Sequence, residues 1–282
     1  MSWQAVARKD FRDAIRWRPF RAISVFFVLL ALVVASAYGL FSEAFGVGAA
    51  SPRGLVFVLA DIISMFVSLT AIFICFKAIA GERQSGSIKL LLSLPHTRGE
   101  VMLGKIVGRT GVLAIPILGS LLAGIVLGSA LLGDIAPVAT LVLLVVGLFF
   151  ALTFVSAMIG FSAMTGSTKK AVVLTAGFDI VTELLWGVVT NTLVFVVSGF
   201  SLPPPADWPA WVYPIMLIPP TRAFTATLNA AIPDSSFAPG RMPEASTFDA
   251  VFVSPWMGLV VLVFWLLVPV AIGFRVFQRA DL

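Results

Sequence analysis

Six long apolar runs, all but the last two separated by short polar or charged stretches, dominate the hydropathy pattern of this chain. They fall at about Ala22 to Phe41, Leu55 to Ile79, Val107 to Leu132, Ile135 to Phe161, Lys170 to Val197 and Trp256 to Phe277. A helix rising 1.5 Å per residue needs about 20 apolar residues to cross ~30 Å of hydrocarbon, so each run predicts one membrane-spanning helix. Gly and Pro interrupt several runs, which neighbouring helices tolerate in lipid. The expected fold is an all-α membrane protein, one six-helix domain over residues 1–282. Ahead of the first run, Trp3, Val6, Ala7, Phe11, Ala14 and Ile15 recur at three- and four-residue spacing, with Arg8, Lys9, Arg12, Asp13 and Arg16 on the other face. This predicts an amphipathic helix within residues 1–19, an elbow lying in the headgroup layer, with Pro19 permitting the bend into the first span. A basic leader that is amphipathic by chance would read the same way.

Composition agrees with the pattern. The chain is 59% hydrophobic and 12% charged, with a mean hydropathy of +1.04, against roughly 25% charged residues in a soluble domain. Positive residues near span ends stay on the cytoplasmic side. Arg8, Lys9, Arg12, Arg16, Arg18 and Arg21 precede the first span; Lys77, Arg83, Lys89, Arg98, Lys105 and Arg109 flank the loop after the second. Lys169 and Lys170 follow the fourth, and Arg275 and Arg279 the sixth, leaving only Arg53, Arg222 and Arg241 of the 19 basic residues for the other face. Both termini are therefore expected in the cytoplasm. Topology explains the net charge of +5, and no nucleic-acid partner is implied. Cys75 is the only cysteine and His96 the only histidine, so neither an intrachain disulfide nor a Cys/His metal site is expected. The first apolar run is long enough to span and follows a charged segment, unlike a cleaved signal peptide.

The stretch Gly81 to Lys105, GERQSGSIKLLLSLPHTRGEVMLGK, is a charged, glycine-punctuated loop between the second and third spans. Gly86 and Ser87 break the helix descending from the second span, Ile88 to Leu92 form a short apolar helix, and Pro95 stops it. Thr97 and Glu100 then make a T-x-x-E capping box that starts the helix of the third span. A short helix is thereby held across the ends of two longer ones, with Glu82, Arg83, Lys89 and Arg98 nearby. A soluble partner can grip such a feature as an apolar knob with a charged rim.

The sequence Glu82-Arg83, Gly86-Ser87, Leu90-Leu91-Leu92, Pro95, Thr97-Arg98 and Gly104-Lys105 resembles the loop signature of type-two ABC exporter permeases. Ser87 stands where that family usually has Thr, which keeps the hydroxyl. The resemblance extends to the amphipathic start, the six spans, the outer segment Leu217 to Leu228 and the tail Phe277 to Leu282. Pro219 replaces the usual Asn in the outer segment. In length and loop pattern the chain is similar to the subgroup linked to nitrous-oxide-reductase maturation. The resemblance implies that the short helix, about Gln84 to Leu92, is a coupling helix seated on a separate ATP-binding subunit. Glu82, Arg83, Gly86, Ser87, Leu90, Leu91, Pro95, Arg98 and Lys105 would be its ATPase-coupling residues. It also implies a second permease copy, identical or different, a place in the plasma membrane, and no cofactor in this chain, ATP and Mg²⁺ being held by the partner subunit.

Gly99 to Lys105 mimics the G-x-x-x-x-G-K of a phosphate-binding loop. However, Ile106 stands where a Mg²⁺-holding hydroxyl belongs and no strand precedes it, so ATP hydrolysis is not expected here. Within the spans, Asp179 and Glu183 lie four residues apart on one helical face, about 14 and 20 Å from Lys170. Such a pair either lines a translocation path, with Thr182 and Asn191 nearby, or is structural and satisfied between helices. Asp61 lies nearer the outer end of the second span. Gly104/Gly108 and Gly124/Gly128 are small-x-x-x-small pairs, for which intrachain packing is the expectation. The extracytoplasmic segment 198–255 is long and rich in Pro, with Trp208, Trp211 and Tyr213 suited to an interfacial belt and Pro220 to opening a short helix through Leu228. It reads as a cap over an exit path, a docking surface, or a loop lying on the membrane. Two functions fit the whole: an exporter permease driven by a separate ATPase, or a non-transporting anchor or mechanotransmitter coupling an ATPase to extracytoplasmic protein maturation. An intramembrane enzyme finds no nucleophile–base pair or metal motif to support it.

Overall fold

The computed structural model describes residues 3–16, 18–41, 50–93, 97–204, 207–232, 254 and 256–280, with backbone alone for Arg18 and residues 90–92. Every regular element among them is helical. An N-terminal helix, α1 (Trp3–Arg16), leads into α2 (Arg18–Phe41), and α3 (Pro52–Cys75) continues through a turn into α4 (Ala80–Ser85). Then come α5 (Ser87–Ser93), α6 (Arg98–Leu132) and α7 (Pro137–Ala163). The fifth span is a composite rod of α8 (Thr168–Asp179), a π-helical segment (Ile180–Leu185) and α9 (Trp186–Val197). Two short helices, α10 (Val212–Met216) and α11 (Pro220–Ala231), precede α12 (Met257–Gln278). Six stretches are long and apolar enough to cross a membrane: Pro19–Phe41, Pro52–Ser85, Arg98–Leu132, Pro137–Ala163, Thr168–Val197 and Met257–Gln278. All six expected runs are recovered.

Local chemistry sets the ends. Ser51 accepts from the Gly54 N–H at the start of α3, where Pro52 loses nothing by lacking a donor, and the Tyr38 hydroxyl accepts from the Ser51 N–H. Thr97 and Glu100 form the reciprocal capping box of α6. The 35 residues of α6 measure about 52 Å, well beyond ~30 Å of hydrocarbon, so its first turns project from the loop end of the bundle.

The second span is the axis of the bundle. Two-thirds of its apolar window (67%) is buried, against 17% for the fifth span and 22% for the first and sixth, which places those three at the periphery. Close approaches fix the rest. A Cβ on Gly160 of α7 or Gly273 of α12 would collide with backbone of the opposite helix, so these two spans cross in backbone contact. Gly104 and Gly108 likewise seat α1 against α6: a Cβ on Gly108 would lie 2.7 Å from the Ala7 carbonyl. Gly124 and Gly128 receive Leu59 and Leu55 of α3, so both small-residue pairs serve intrachain packing. The apolar stripe of α1, a helix expected from sequence to lie in the headgroup layer, is turned partly inward, with Val6 and Ala7 buried. Gly108→Val is expected to force α1 off its bed and cost about 2–3 kcal/mol, read as a melting temperature several degrees lower in detergent.

The outer segment departs most from expectation. Its α11 starts at Pro220 as anticipated, but the hairpin of α10 and α11 dips into the bundle. The Trp186 indole N–H donates to the Ile215 carbonyl (2.8 Å) and that of Trp265 to the Ile218 carbonyl (2.7 Å). Trp186 lies eleven residues inside the Val197 end of the fifth span, about 17 Å along the helix. Non-helical backbone at that depth survives only where protein satisfies it; the Trp265 indole does so at Ile218, while Ile215, in the last turn of α10, also accepts from the Ile218 N–H. Trp208 and Tyr213 are buried in protein (8% and 5% exposed) rather than facing an interface as a belt. Trp265→Phe keeps the ring and orphans the Ile218 carbonyl, whereas the Ile215 carbonyl also accepts from the Ile218 N–H; for Trp265→Phe we expect a loss of about 1–3 kcal/mol, seen as easier thermal unfolding in nanodiscs.

Candidate functional site

At the loop end, four charges form one chain of contacts. The Lys105 ammonium donates to Glu82 (2.6 Å) and lies 3.5 Å from Asp10, whose carboxylate also receives the Arg109 guanidinium at 2.8 and 3.3 Å. The Lys105 side chain is 2% exposed, and Glu82 and Asp10 are 25% and 14% exposed. Burial pushes the Asp10 carboxyl up, but Arg109 and Lys105 outweigh it and hold the group below its ordinary 3.8. A carboxyl depressed in the folded state stabilises fully above its unfolded value and loses that contribution as pH falls through the folded one. The contribution of Asp10 is therefore fully present at neutral pH and is lost only as pH falls below the ordinary carboxylate range.

This chain of charges ties α1 and α6 to α4. Further contacts bind α4 to the other side: Arg83 donates to the Ala163 carbonyl at the end of α7 (3.3 Å), and Gln84 accepts from the Thr168 N–H at the start of α8 (2.8 Å). The Ser162 hydroxyl donates to the Phe76 carbonyl and accepts from the Ile79 and Ala80 amides, clamping the turn that links α3 to α4. Gly86, with φ of 76°, then reverses the backbone between α4 and α5, a left-handed position that favours glycine. Ile88 buries itself in the core while Lys89 and Ser87 stay exposed. Arg98 donates to the Phe277, Gln278 and Ala280 carbonyls and sits 5.4 Å from the Phe277 ring, capping the end of α12.

The sequence-based site is thus gathered at one end, with different roles for its charges. Glu82, Arg83, Arg98 and Lys105 pair inside the chain instead of forming an open rim, because a charge at a low-dielectric bundle end finds its best partner in protein. Leu90 and Leu91 lie on α5 by backbone alone, and Pro95 falls outside the described residues. Two partners escaped the sequence reading. Asp10 is the one of the two acids in α1 that lies at the edge of the apolar stripe, and Arg109 stands one turn after Lys105; that placement was the available signal.

Deeper in the bundle, α11 meets the acids of the spans. Glu183 lies beside Thr221, with Arg222 and Asp179 acting on it electrostatically, and the Arg222 guanidinium comes within 3.7 Å of where a Cβ on Gly187 would lie. Asp179 is 5% exposed and lies beside Ser68 of the second span. Asp61 accepts from the Thr225 hydroxyl at 3.4 Å. These residues climb outward as successive levels, Ser68/Asp179, then Glu183/Thr221, then Thr225/Asp61. The π-helical segment begins directly after Asp179, and such segments recur at functional positions. Arg222, counted from sequence as an outer charge, is half-buried and acts electrostatically on Glu183 without an ion-pair contact to it among the described residues.

A six-span bundle with a clamped loop helix, an N-terminal helix on the third span and a re-entrant hairpin before the sixth agrees with the comparison over the full chain. The family model for ABC-2 family transporter proteins matches residues 4–282. The chain belongs to that family. A relative from Pseudomonas aeruginosa, described as a probable ABC transporter permease protein NosY, is 27% identical over 290 residues, covering 97% of each chain. A second of the same description, from Stutzerimonas stutzeri, is 36% identical over 114 residues, 40% of each chain. The protein is a multi-pass ABC transporter permease, a class whose members generally leave ATP hydrolysis to another subunit.

Proposed function

We propose that this permease is the membrane-spanning subunit of an exporter driven by a separate ATP-binding subunit, which docks on residues 81–105 with α5 as the coupling helix. The observation that carries the reading is the anchoring of α4. Through Glu82, Arg83 and Gln84 it is fastened to α1, α6, α7 and α8, while Gly86 alone separates it from α5. A push on α5 therefore reaches four elements without an intervening flexible link. The basic residues flanking the loop and the N-terminal segment support a cytoplasmic location for both termini, in the plasma membrane, with the charged face of α1 at the headgroup layer. The lightly buried fifth span supports a second permease copy packed there, with Asp179 and Glu183 toward the path between them.

Purification of the tagged chain under gentle extraction, with mass spectrometry and an ATPase assay on the eluate, tests this. A stoichiometric phosphate-loop subunit with vanadate-sensitive hydrolysis supports it; its absence moves the reading to an anchor. The re-entrant α10–α11 hairpin favours a second reading, in which strokes at the loop are transmitted to the extracytoplasmic segment 198–255 to act on an external protein. Substrate-stimulated ATPase in vesicles favours export, whereas hydrolysis stimulated only by an external protein favours mechanotransmission.

A further inference from the structure

The charges of α1 divide into two sets. Asp10 is taken up by Lys105 and Arg109, and Lys9 lies 3.9 Å from Asp13. Arg8, Arg12 and Arg16 are exposed and make no hydrogen bond or ion pair with another described residue. At 3.6 residues per turn these three form one stripe, opposite the side on which Val6, Ala7 and Phe11 meet Gly104, Gly108 and Gly111 of α6. The apolar stripe of α1 is thus covered by protein, and its arginine stripe looks away from the bundle.

The depth of that stripe follows from two helices independently. About 30 Å of hydrocarbon corresponds to ~20 helical residues, so counting back from Leu132 puts its near edge at about Val112 of α6. Gly111, against Phe11, and Gly108, against Ala7, lie at that edge and just beyond it. On α2, Ala31 meets Gly124 and Gly39 meets Leu131, so α2 and α6 run side by side. Gly124 stands twelve residues from Val112, and Arg18 stands thirteen from Ala31, which returns the start of α2 to the same level. The chain from Phe11 to Arg18 therefore runs along the edge of the hydrocarbon, where headgroups stand. One turn into α2, exposed Arg21 heads a row of lipid-facing side chains, Val25, Leu29 and Val33, each more than half exposed. A long basic side chain at such a position reaches back to the interface.

We propose that Arg8, Arg12, Arg16 and Arg21 bind the phosphates of anionic phospholipids of the phosphatidylglycerol type, with an acyl chain lying along the Val25–Leu29–Val33 row. A guanidinium pairs with phosphate through two parallel N–H donors, and a headgroup without an ammonium of its own leaves that phosphate's charge to the arginines. The proposal rests on the placement of α1 at the headgroup layer in the permease reading, and names the lipid class. Lipid held there also steadies Asp10, and through Lys105 the anchor of α4.

The test is titration of the purified full chain in detergent with dioleoyl phosphatidylglycerol or dioleoyl phosphatidylcholine, followed by native mass spectrometry. The native chain is expected to hold phosphatidylglycerol about tenfold or more tightly than phosphatidylcholine. Each arginine at an anionic headgroup changes affinity by about fivefold, so Arg8→Gln with Arg12→Gln should weaken phosphatidylglycerol binding by about twentyfold. Arg8→Lys with Arg12→Lys is expected to retain most of it. Lys169→Gln with Lys170→Gln, which removes as many exposed charges from the start of α8, is expected to leave it within about twofold. Should the first pair fail to yield monodisperse protein, Arg16→Gln with Arg21→Gln is expected to show the same loss. Equal binding of the two lipids, native affinity in both glutamine pairs of arginines, or an equal loss in the lysine pair would overturn the proposal. Displacement of the lipid by an equal concentration of inorganic phosphate would overturn it too, assigning the stripe to a free anion. Loss of a co-purifying ATP-binding subunit from the arginine variants, with lipid affinity unchanged, would assign the face to that subunit instead. Failure of the lipid site leaves the permease reading standing, since that reading is decided by the co-purifying ATPase in the native chain. Selective lipid binding without such an ATPase would overturn the permease reading and keep the site.

Discussion

Lys105→Met is expected to lower the yield of monodisperse protein sharply and to destabilise what remains by about 3 kcal/mol, the lower end of the range for breaking a buried ion pair. Lys105 stands between two carboxylates, Glu82 at 2.6 Å and Asp10 at 3.5 Å, so its removal strands negative charge where water is scarce. Asp10 keeps Arg109; Glu82 loses its ion-pair partner and keeps only the quarter of its surface that meets solvent. The double substitution Glu82→Gln with Lys105→Met removes the stranded charge and is expected to restore much of the yield. It should not restore function. Without the ionic link, α5 and α4 are no longer fastened to α1 and α6, and co-purified ATPase should run without response to substrate. The check is size-exclusion profile and ATPase stimulation measured on the same preparations. A double variant with full substrate-stimulated hydrolysis would show that the link holds the fold and carries no stroke.

The spans were legible because they depend on composition over about 20 residues, which the chain writes locally. The capping box at Thr97 and Glu100 and the break at Gly86 were legible for the same reason, since cap and turn chemistry act within four residues. The ionic chain at the loop end was not, because it joins Asp10 to Arg109 across 99 residues of sequence, and no local pattern says which acid meets which base. Arg83 and Arg98 illustrate the limit: sequence brings them to the right end of the molecule, but their carbonyl acceptors belong to helices 80 and about 180 residues away. Position along the membrane misled in two places. Leu217 to Leu228 has the composition of a surface helix, and Trp186 and Trp265 that of interior packing. Only together do they form a re-entrant turn to whose carbonyls two indoles donate. The π-helical turn at Ile180–Leu185 leaves no compositional trace, because its residues suit an α-helix equally well.

The same re-entrant hairpin supplies the positive charge deepest in the outer half, and Arg222→Leu should expose its role. Arg222 acts on Glu183 from the first turn of α11, with Thr221 beside the same carboxylate. Removing the guanidinium leaves Glu183 as an uncompensated acid at membrane depth, where insertion scales assign an ionised side chain about 2.5–3.5 kcal/mol. Arg222→Leu is therefore expected to unfold at markedly lower temperature, with the hairpin detached: cysteine introduced at Ile218 should become reactive to a water-soluble maleimide after Cys75→Ser removes the native thiol. Pairing Arg222→Leu with Glu183→Gln removes both charges and is expected to recover most of the stability, because a neutral amide keeps the shape of the side chain beside Thr221. The activities of the two neutral-acid proteins then separate the roles of Glu183. If the acid only holds the hairpin, the double variant should transport and hydrolyse ATP at native rates. If it lines the path, the double variant should be stable, with its hairpin protected from maleimide, yet slow in transport, and Glu183→Gln alone should share that defect.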